Sequence, residues 1–271
     1  MGAQTDGKKN STLQLTVVAL FFAMLWTPLG QSAFLIEHWM RLGTFMAPIL
    51  VLALTLDVRG IRSVEARRVW AVVFLLAYIG HQFEEHWIDV TGNLYSFYAY
   101  VNELIASIMQ MSGDVEPPLT ESAIFFINTS LVWLVGFLAI VLGSRQPFTV
   151  HAMMAISFIN AISHIGASVL KWSYNPGLLT SILLFLPLSS AYIVHTIRRE
   201  PWERRSLLGS IIWALLAHIL MVGGLILANI YGYISERAYF VMLIGWSLVP
   251  SVITFTLPRR NTPLSARAGR S

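Results

Sequence analysis

Apolar runs of membrane length recur along this chain, with basic clusters between them, and that alternation constrains the fold more than any other feature. Eight runs are legible: Leu13–Ile36, Thr44–Leu56, Val69–Val90, Ser122–Leu142, Phe148–Leu170, Pro176–Ile197, Ser206–Tyr231 and Ala238–Leu257. A crossing takes about 20 residues, so the second run is short, which implies tilt, re-entry or help from its flanks. Only 12% of the 271 residues are charged and 56% are hydrophobic, against about 25% charge in a soluble domain. The expected fold is therefore all-α: one polytopic bundle of transmembrane helices over residues 1–271, held among membrane lipids.

Charge fixes the expected orientation. With the N-terminus inside, 15 of the 18 Lys and Arg residues face the cytoplasm, leaving Arg41, Lys171 and Arg237 outside. An eight-span, N-in and C-in topology thus obeys the positive-inside rule, and residues 258–271 form a basic cytoplasmic tail. Lys8-Lys9, the first apolar run and Pro28–Ala33 also fit a cleaved secretory signal, which would leave seven spans in the same orientation. An isoelectric point of 9.5 invites a nucleic-acid partner. The basic residues lie in short clusters between spans, however, as in loops facing anionic lipid; no nucleic-acid partner is expected. A prokaryotic plasma membrane fits the basic inner loops. The longest outer loop, 91–121, holds Glu103, Asp114 and Glu116 and neither Lys nor Arg. Within it Val101–Met111 has the spacing of a helix lying flat in the interface.

Inside the third run stands His81-Gln82-Phe83-Glu84-Glu85. Ionisable groups at membrane depth are costly and mark function by default. At 100° per residue His81, Glu84 and Glu85 share an arc of about 100°. The fifth run offers Asn160 and His164 on one face. Counting about 1.5 Å per residue, Glu85 and His81 lie about 8 and 13 Å from the outer end of their span, and His164 about 10 Å from its own. Facing polar stripes at one depth are expected to pack together, away from lipid. Other polar residues within reach of that level are Glu37, His38, Asn128 and His218. His86 projects about 140° from His81 and is expected to serve another neighbour.

There is no cysteine, which excludes disulfides, thiolate zinc sites, iron–sulfur clusters and a catalytic thiol. Any metal falls to His, carboxylate, amide or water ligands. His81-x-x-Glu84-Glu85 also resembles the signature of the HXXEE family of integral membrane proteins, a largely uncharacterised family. A second family-like block runs from Asn160-Ala161-Ile162-Ser163-His164 through Tyr174-Asn175-Pro176-Gly177 to Pro187. The resemblance spans roughly Val69 to Ala191 and implies where the site is, not what it does.

The first expectation is a metal-dependent enzyme for a lipid-soluble substrate (isoprenoid, sterol-like or acyl). His81, Glu85 and His164 would bind iron, manganese or zinc; Glu84 would bridge or act as base, and Asn160 would orient His164. Asn128, His218, Glu37 and His38 would support or complete the ligand set. A metal-free isomerase or cyclase using Glu84 and Glu85 as an acid/base pair is the second. A proton-coupled transporter is the third; no inverted repeat speaks for it.

Overall fold

The computed structural model describes residues 33–60, 66–111, 116–143, 146–198 and 201–256. They form helices: α1 (Ala33–Gly60), α2 (Ala66–His86), α3 (Ser96–Ile108), α4 (Glu121–Leu142), α5 (Pro147–Lys171), α6 (Leu178–Ile197), α7 (Pro201–Leu225, continued by a π turn over Ile226–Ile230) and α8 (Glu236–Thr256). Two further π turns lie at Asn128–Leu134 in α4 and Ser181–Phe185 in α6. Among the described residues the sole strand-like pairing is one bridge, Ile88 to Leu94.

Six of these helices are long and apolar enough to cross a membrane: α1, α4, α5, α6, α7 and α8. The chain is a helical membrane protein. The seventh long rod, α2, falls outside that set because Arg67 and Arg68 open it and His81, Gln82, Glu84 and Glu85 end it. Neighbours, not hydrocarbon, enclose it: Ala71, Phe74 and Leu75 are fully buried, as are His81 and Gln82. Helices α1, α4, α5 and α6 surround it.

One expected boundary is corrected. An outer turn between Ile36 and Thr44 is absent; α1 runs unbroken from Ala33 through Glu37, Arg41 and Pro48 to Gly60. The intervening residues, Glu37 to Gly43, include no proline and only one glycine, so a helix can continue through them and their polar members interrupt hydropathy without reversing the chain. The short second run is thus part of a full-length helix. The body of the first run, the possible signal and the basic tail lie outside the described residues.

The ends of the bundle differ in character. At one, Arg67 of α2 donates to Glu203 of α7 at 2.8 Å, and His151 of α5 meets Ser206 of α7 at 3.0 Å. At the other end lie the last turns of α2 and α5, the first turns of α4, α6 and α8, and α3. Helix α3 starts earlier than its apolar spacing suggests, because Asp89 gathers the chain ahead of it. That carboxylate accepts from Thr91 N–H and O–H, Asn93 N–H and Ser96 O–H at 2.6–3.0 Å. Asn102 then clasps both backbone groups of Leu119, so α3 is tied at its start to the chain leaving α2 and at its middle to the chain entering α4.

Candidate functional site

The last turn of α2 brings its motif against two elements that are continuous in sequence. These are the end of α5, and the turn Trp172–Gly177 that leads into α6. The turn depends on left-handed backbone at Trp172 (φ 50°) and Gly177 (φ 92°). Gly177 is required for two reasons. Its φ strains any residue with a side chain, and a methyl there would lie 2.7 Å from His81 Cε1, 2.8 Å from His164 Cε1 and 3.0 Å from Glu85 Cγ. The backbone of Gly177 is the roof of the site.

Beneath it, Glu85 Oε1 stands 3.3 Å from His81 Nε2 and 3.0 Å from His164 Nε2. The three side chains are buried, and one ligand atom from each lies within 4.8 Å of the others. The imidazole protons follow from the partners on the far side of each ring. Thr180 Oγ1 has one hydrogen, and the Glu84 carboxylate takes it at 2.5 Å; the hydroxyl therefore accepts from His81 Nδ1–H at 2.8 Å. Asn175 gives its amide N–H to the carbonyl of His164 at 2.9 Å, so its oxygen accepts from His164 Nδ1–H at 2.6 Å. Both neutral rings then turn an Nε2 lone pair toward Glu85.

Glu84, one residue away, does something else. Its oxygens accept from Tyr174 O–H at 2.9 Å, Leu179 N–H at 3.1 Å, Thr180 N–H at 2.8 Å and Thr180 O–H at 2.5 Å. It thereby caps the N-terminus of α6 from another helix and satisfies N–H groups that lack partners in that first turn. Burial and the neighbouring Glu84 carboxylate push the Tyr174 hydroxyl above its ordinary range, which keeps it a donor. With four donors around it, Glu84 has little capacity left to bridge a metal or move a proton.

The remaining expected residues divide. Asn160 touches His81, not His164: its amide nitrogen is 2.9 Å from His81 Nε2, and Asn175 is the residue that orients His164. Asn128 is at the site, 3.3 Å from His86 Nε2. His86 does face that other neighbour, yet its Nε2 also lies 3.4 Å from the second Glu85 oxygen. His218 bonds back to Ala214 O of its own helix and is no part of the group formed by His81, Glu85 and His164. Glu37 and His38 are not brought in; Glu37 is largely exposed and the two face each other at 4.0 Å. Their place on α1 is taken by Trp39, whose ring packs on His86 at 5.2 Å. Gly43 sets this contact by letting α1 approach Trp133, which a methyl there would meet at 2.5 Å. Gln82 and Asn175 lie outside the residues to which depth and periodicity point, whereas Thr180 shares the expected depth near the outer start of the sixth run. Gln82 is fully buried, and the Asn-Pro-Gly turn was the available signal for the other two.

The motif, its spacing and its burial inside a helical bundle agree with one comparison. Part of the chain, a little under half of it, is similar to the HXXEE family. Residues 72–192 match the model of a family described as "Protein of unknown function with HXXEE motif". The matched stretch contains His81, Glu84, Glu85, Asn160, His164 and Gly177, hence the whole HXXEE cradle. Neither a curated protein nor a solved structure matches the chain.

Proposed function

We propose that the HXXEE motif builds a divalent-metal site from His81, Glu85 and His164, and that the chain is a membrane enzyme acting there on a lipid-soluble molecule. The observation that carries this reading is polarity. Two imidazole lone pairs and a carboxylate converge, and their outer partners already hold the N–H protons elsewhere. Acceptors gathered in a buried place call for a cation between them. The spacing fits. A metal about 2.0–2.2 Å from nitrogen and oxygen ligands at tetrahedral or octahedral angles needs ligand atoms about 3.0–3.5 Å apart, and Oε1 has both Nε2 atoms at 3.0 and 3.3 Å.

Nitrogen and oxygen ligands without thiolate suit iron, manganese or zinc. Bound there, such an ion would supply Lewis acidity to an oxygen of water or substrate. The chain's own part is to fix both rings through Thr180 and Asn175, to anchor α6 on Glu84, and to roof the site with Gly177. Seating an ion requires the Asn160 amide to turn its oxygen toward His81. A lipid-soluble substrate is favoured because Ile162, Val169, Leu179, Ile182 and Leu183, flanking the cradle on α5 and α6, are exposed apolar side chains. In a bilayer these faces meet hydrocarbon. We take α2 as a further crossing in an eight-span, N-in bundle. The end bearing Arg67, Arg198, Arg204 and Arg205 is then cytoplasmic, and the site belongs to the outer half.

The test is metal analysis of detergent-purified protein made without chelator and without oxygen. About one equivalent of iron, manganese or zinc per chain is expected, with loss in His81→Ala and in His164→Ala. Wild-type protein that arrives without metal and takes none up would sink the metal reading. It would favour acid–base chemistry, with His164 as imidazolium donating to Glu85. That second reading has an observation of its own: the Asn160 amide nitrogen stands 2.9 Å from His81 Nε2, on the lone pair that a metal would use.

A further inference from the structure

A groove of about 600 Å³ runs along α6 at the arginine-rich end of the bundle, lined by Ser190, Ala191, Val194, His195 and Arg198. That volume is in the range of small-molecule sites, about 300–1,000 Å³. Ser190, Val194 and Arg198 follow at intervals of four, hence in one stripe, and all three are exposed. Ser190 and Arg198 stand about 12 Å apart along the helix axis. The headgroup layer on one side of a bilayer is about 5–8 Å deep, so a stripe of this length begins among headgroups and ends against acyl chains. Its composition follows the same order: a guanidinium and an imidazole at the helix end, then Val194 and Ala191. Two neighbours keep that end positive. Arg204 of α7 folds back to donate from Nε to the Ile197 carbonyl at 2.7 Å, covering a helix C-terminus that otherwise repels an anion. Glu203, the acid beside it, is buried and engaged by Arg67 at 2.8 Å, so it does not cancel Arg198.

We propose that this groove is a binding site for one anionic phospholipid, its phosphate on Arg198 and an acyl chain along Val194 and Ala191. The site is separate from the cradle of His81, Glu85 and His164 at the other end of the bundle, and needs nothing from it. A guanidinium suits phosphate through its planar fork of donors. A free phosphate is the poorer occupant, because Ala191 and Val194 offer it nothing. A zwitterionic lipid is poorer too, because its own ammonium group offsets the attraction of its phosphate for Arg198.

The full chain in detergent is given equal amounts of dioleoyl phosphatidylglycerol and dioleoyl phosphatidylcholine, and the lipid it retains is counted by native mass spectrometry. A preference for phosphatidylglycerol of about five-fold or more is expected, the worth of one guanidinium at a lipid headgroup. Arg198→Gln should abolish it. Ala191→Trp fills the groove with every charge untouched and should lower the phosphatidylglycerol retained. Arg237→Gln removes a cation at the opposite end and should change nothing. All three positions are exposed, so the variants are expected to fold. Equal retention of the two lipids by the wild type overturns the proposal. So does an equal loss of preference in Arg237→Gln, which would make the attraction diffuse, or full retention in Ala191→Trp, which would leave the groove unused. Inorganic phosphate in large excess should not displace the lipid; displacement would make the occupant a free anion and end the proposal.

Discussion

Glu84 and Glu85 are neighbours in sequence and opposites in surroundings. Around Glu84 stand four hydrogen-bond donors, two of them backbone N–H groups at a helix start. Around Glu85 stand three imidazole nitrogens, those of His81 and His164 at one oxygen and that of His86 at the other. The first surrounds a carboxylate with the donors of a helix start; the second surrounds it with imidazoles. The contrast teaches that a carboxylate's chemistry is read from what faces it, and that a doubled acid in a motif can divide into one group for architecture and one for chemistry.

Breaking each side separately should give opposite phenotypes. Glu84→Ala strips partners from Leu179 and Thr180 N–H and loosens the start of α6, a loss of about 2–5 kcal/mol. Thermal unfolding in detergent should fall sharply and metal should follow the fold. Glu85→Gln should melt near the wild-type temperature or above it, yet lose metal affinity by more than about 100-fold. A Glu85→Gln protein that keeps its metal would end the division of labour. Gly177→Ala attacks the roof they share. Its methyl meets His81 and His164 at a backbone angle unsuited to a side chain, a cost of about 1–3 kcal/mol, with metal binding lost at temperatures where the fold survives. Thr180→Val sharpens the contrast further. It removes the hydroxyl linking Glu84 to His81, and metal affinity should fall about 10–100-fold, measured by competition with a chelator.

The smallest effect lies farther out, at Asp89. Burial acts to raise its pKa, but hydrogen bonds from Thr91, Ser96 and Asn93 hold it down at about 2, against an ordinary 3.8. A carboxyl depressed by folding adds stability that is whole above its ordinary value and is lost as pH falls through the folded one. The turn before α3 should therefore loosen between pH 4 and 2, seen as faster amide exchange over residues 89–96. Expressed as protection factors, with the intrinsic pH dependence of amide exchange divided out, this loosening should be absent in Asp89→Asn.

The convergence of His81, Glu85 and His164 was legible because helical periodicity and equal depth are both local counts along the chain. Helical content and the apolar runs were legible for the same reason. The role of Glu84 was not, since a cap supplied by a different helix depends on where α6 begins, and that is settled by the Asn-Pro-Gly turn meeting α2. His86 escaped because a helical wheel gives the direction of a Cβ and says nothing of an imidazole swinging back to its neighbour's carboxylate. Glu37 and His38 were expected near the site on hydropathy alone; with α1 continuous past them, the residue whose face meets α2 is Trp39.

The π turn in α4 has a further consequence. Asn128 and Trp133 both bond Gln82, although they stand five residues apart, a separation that an α-helix spreads by about 140°. Bonding from i to i+5 brings them back to one side. Such a turn holds one residue more than the α-helix needs, so the two contacts on Gln82 exist by virtue of that extra residue. Excising one amino acid between them, with every named side chain untouched, would rotate the remainder of the helix by a single position and carry the indole off its amide. For this site, chain length within one helix is as specific a determinant as residue identity.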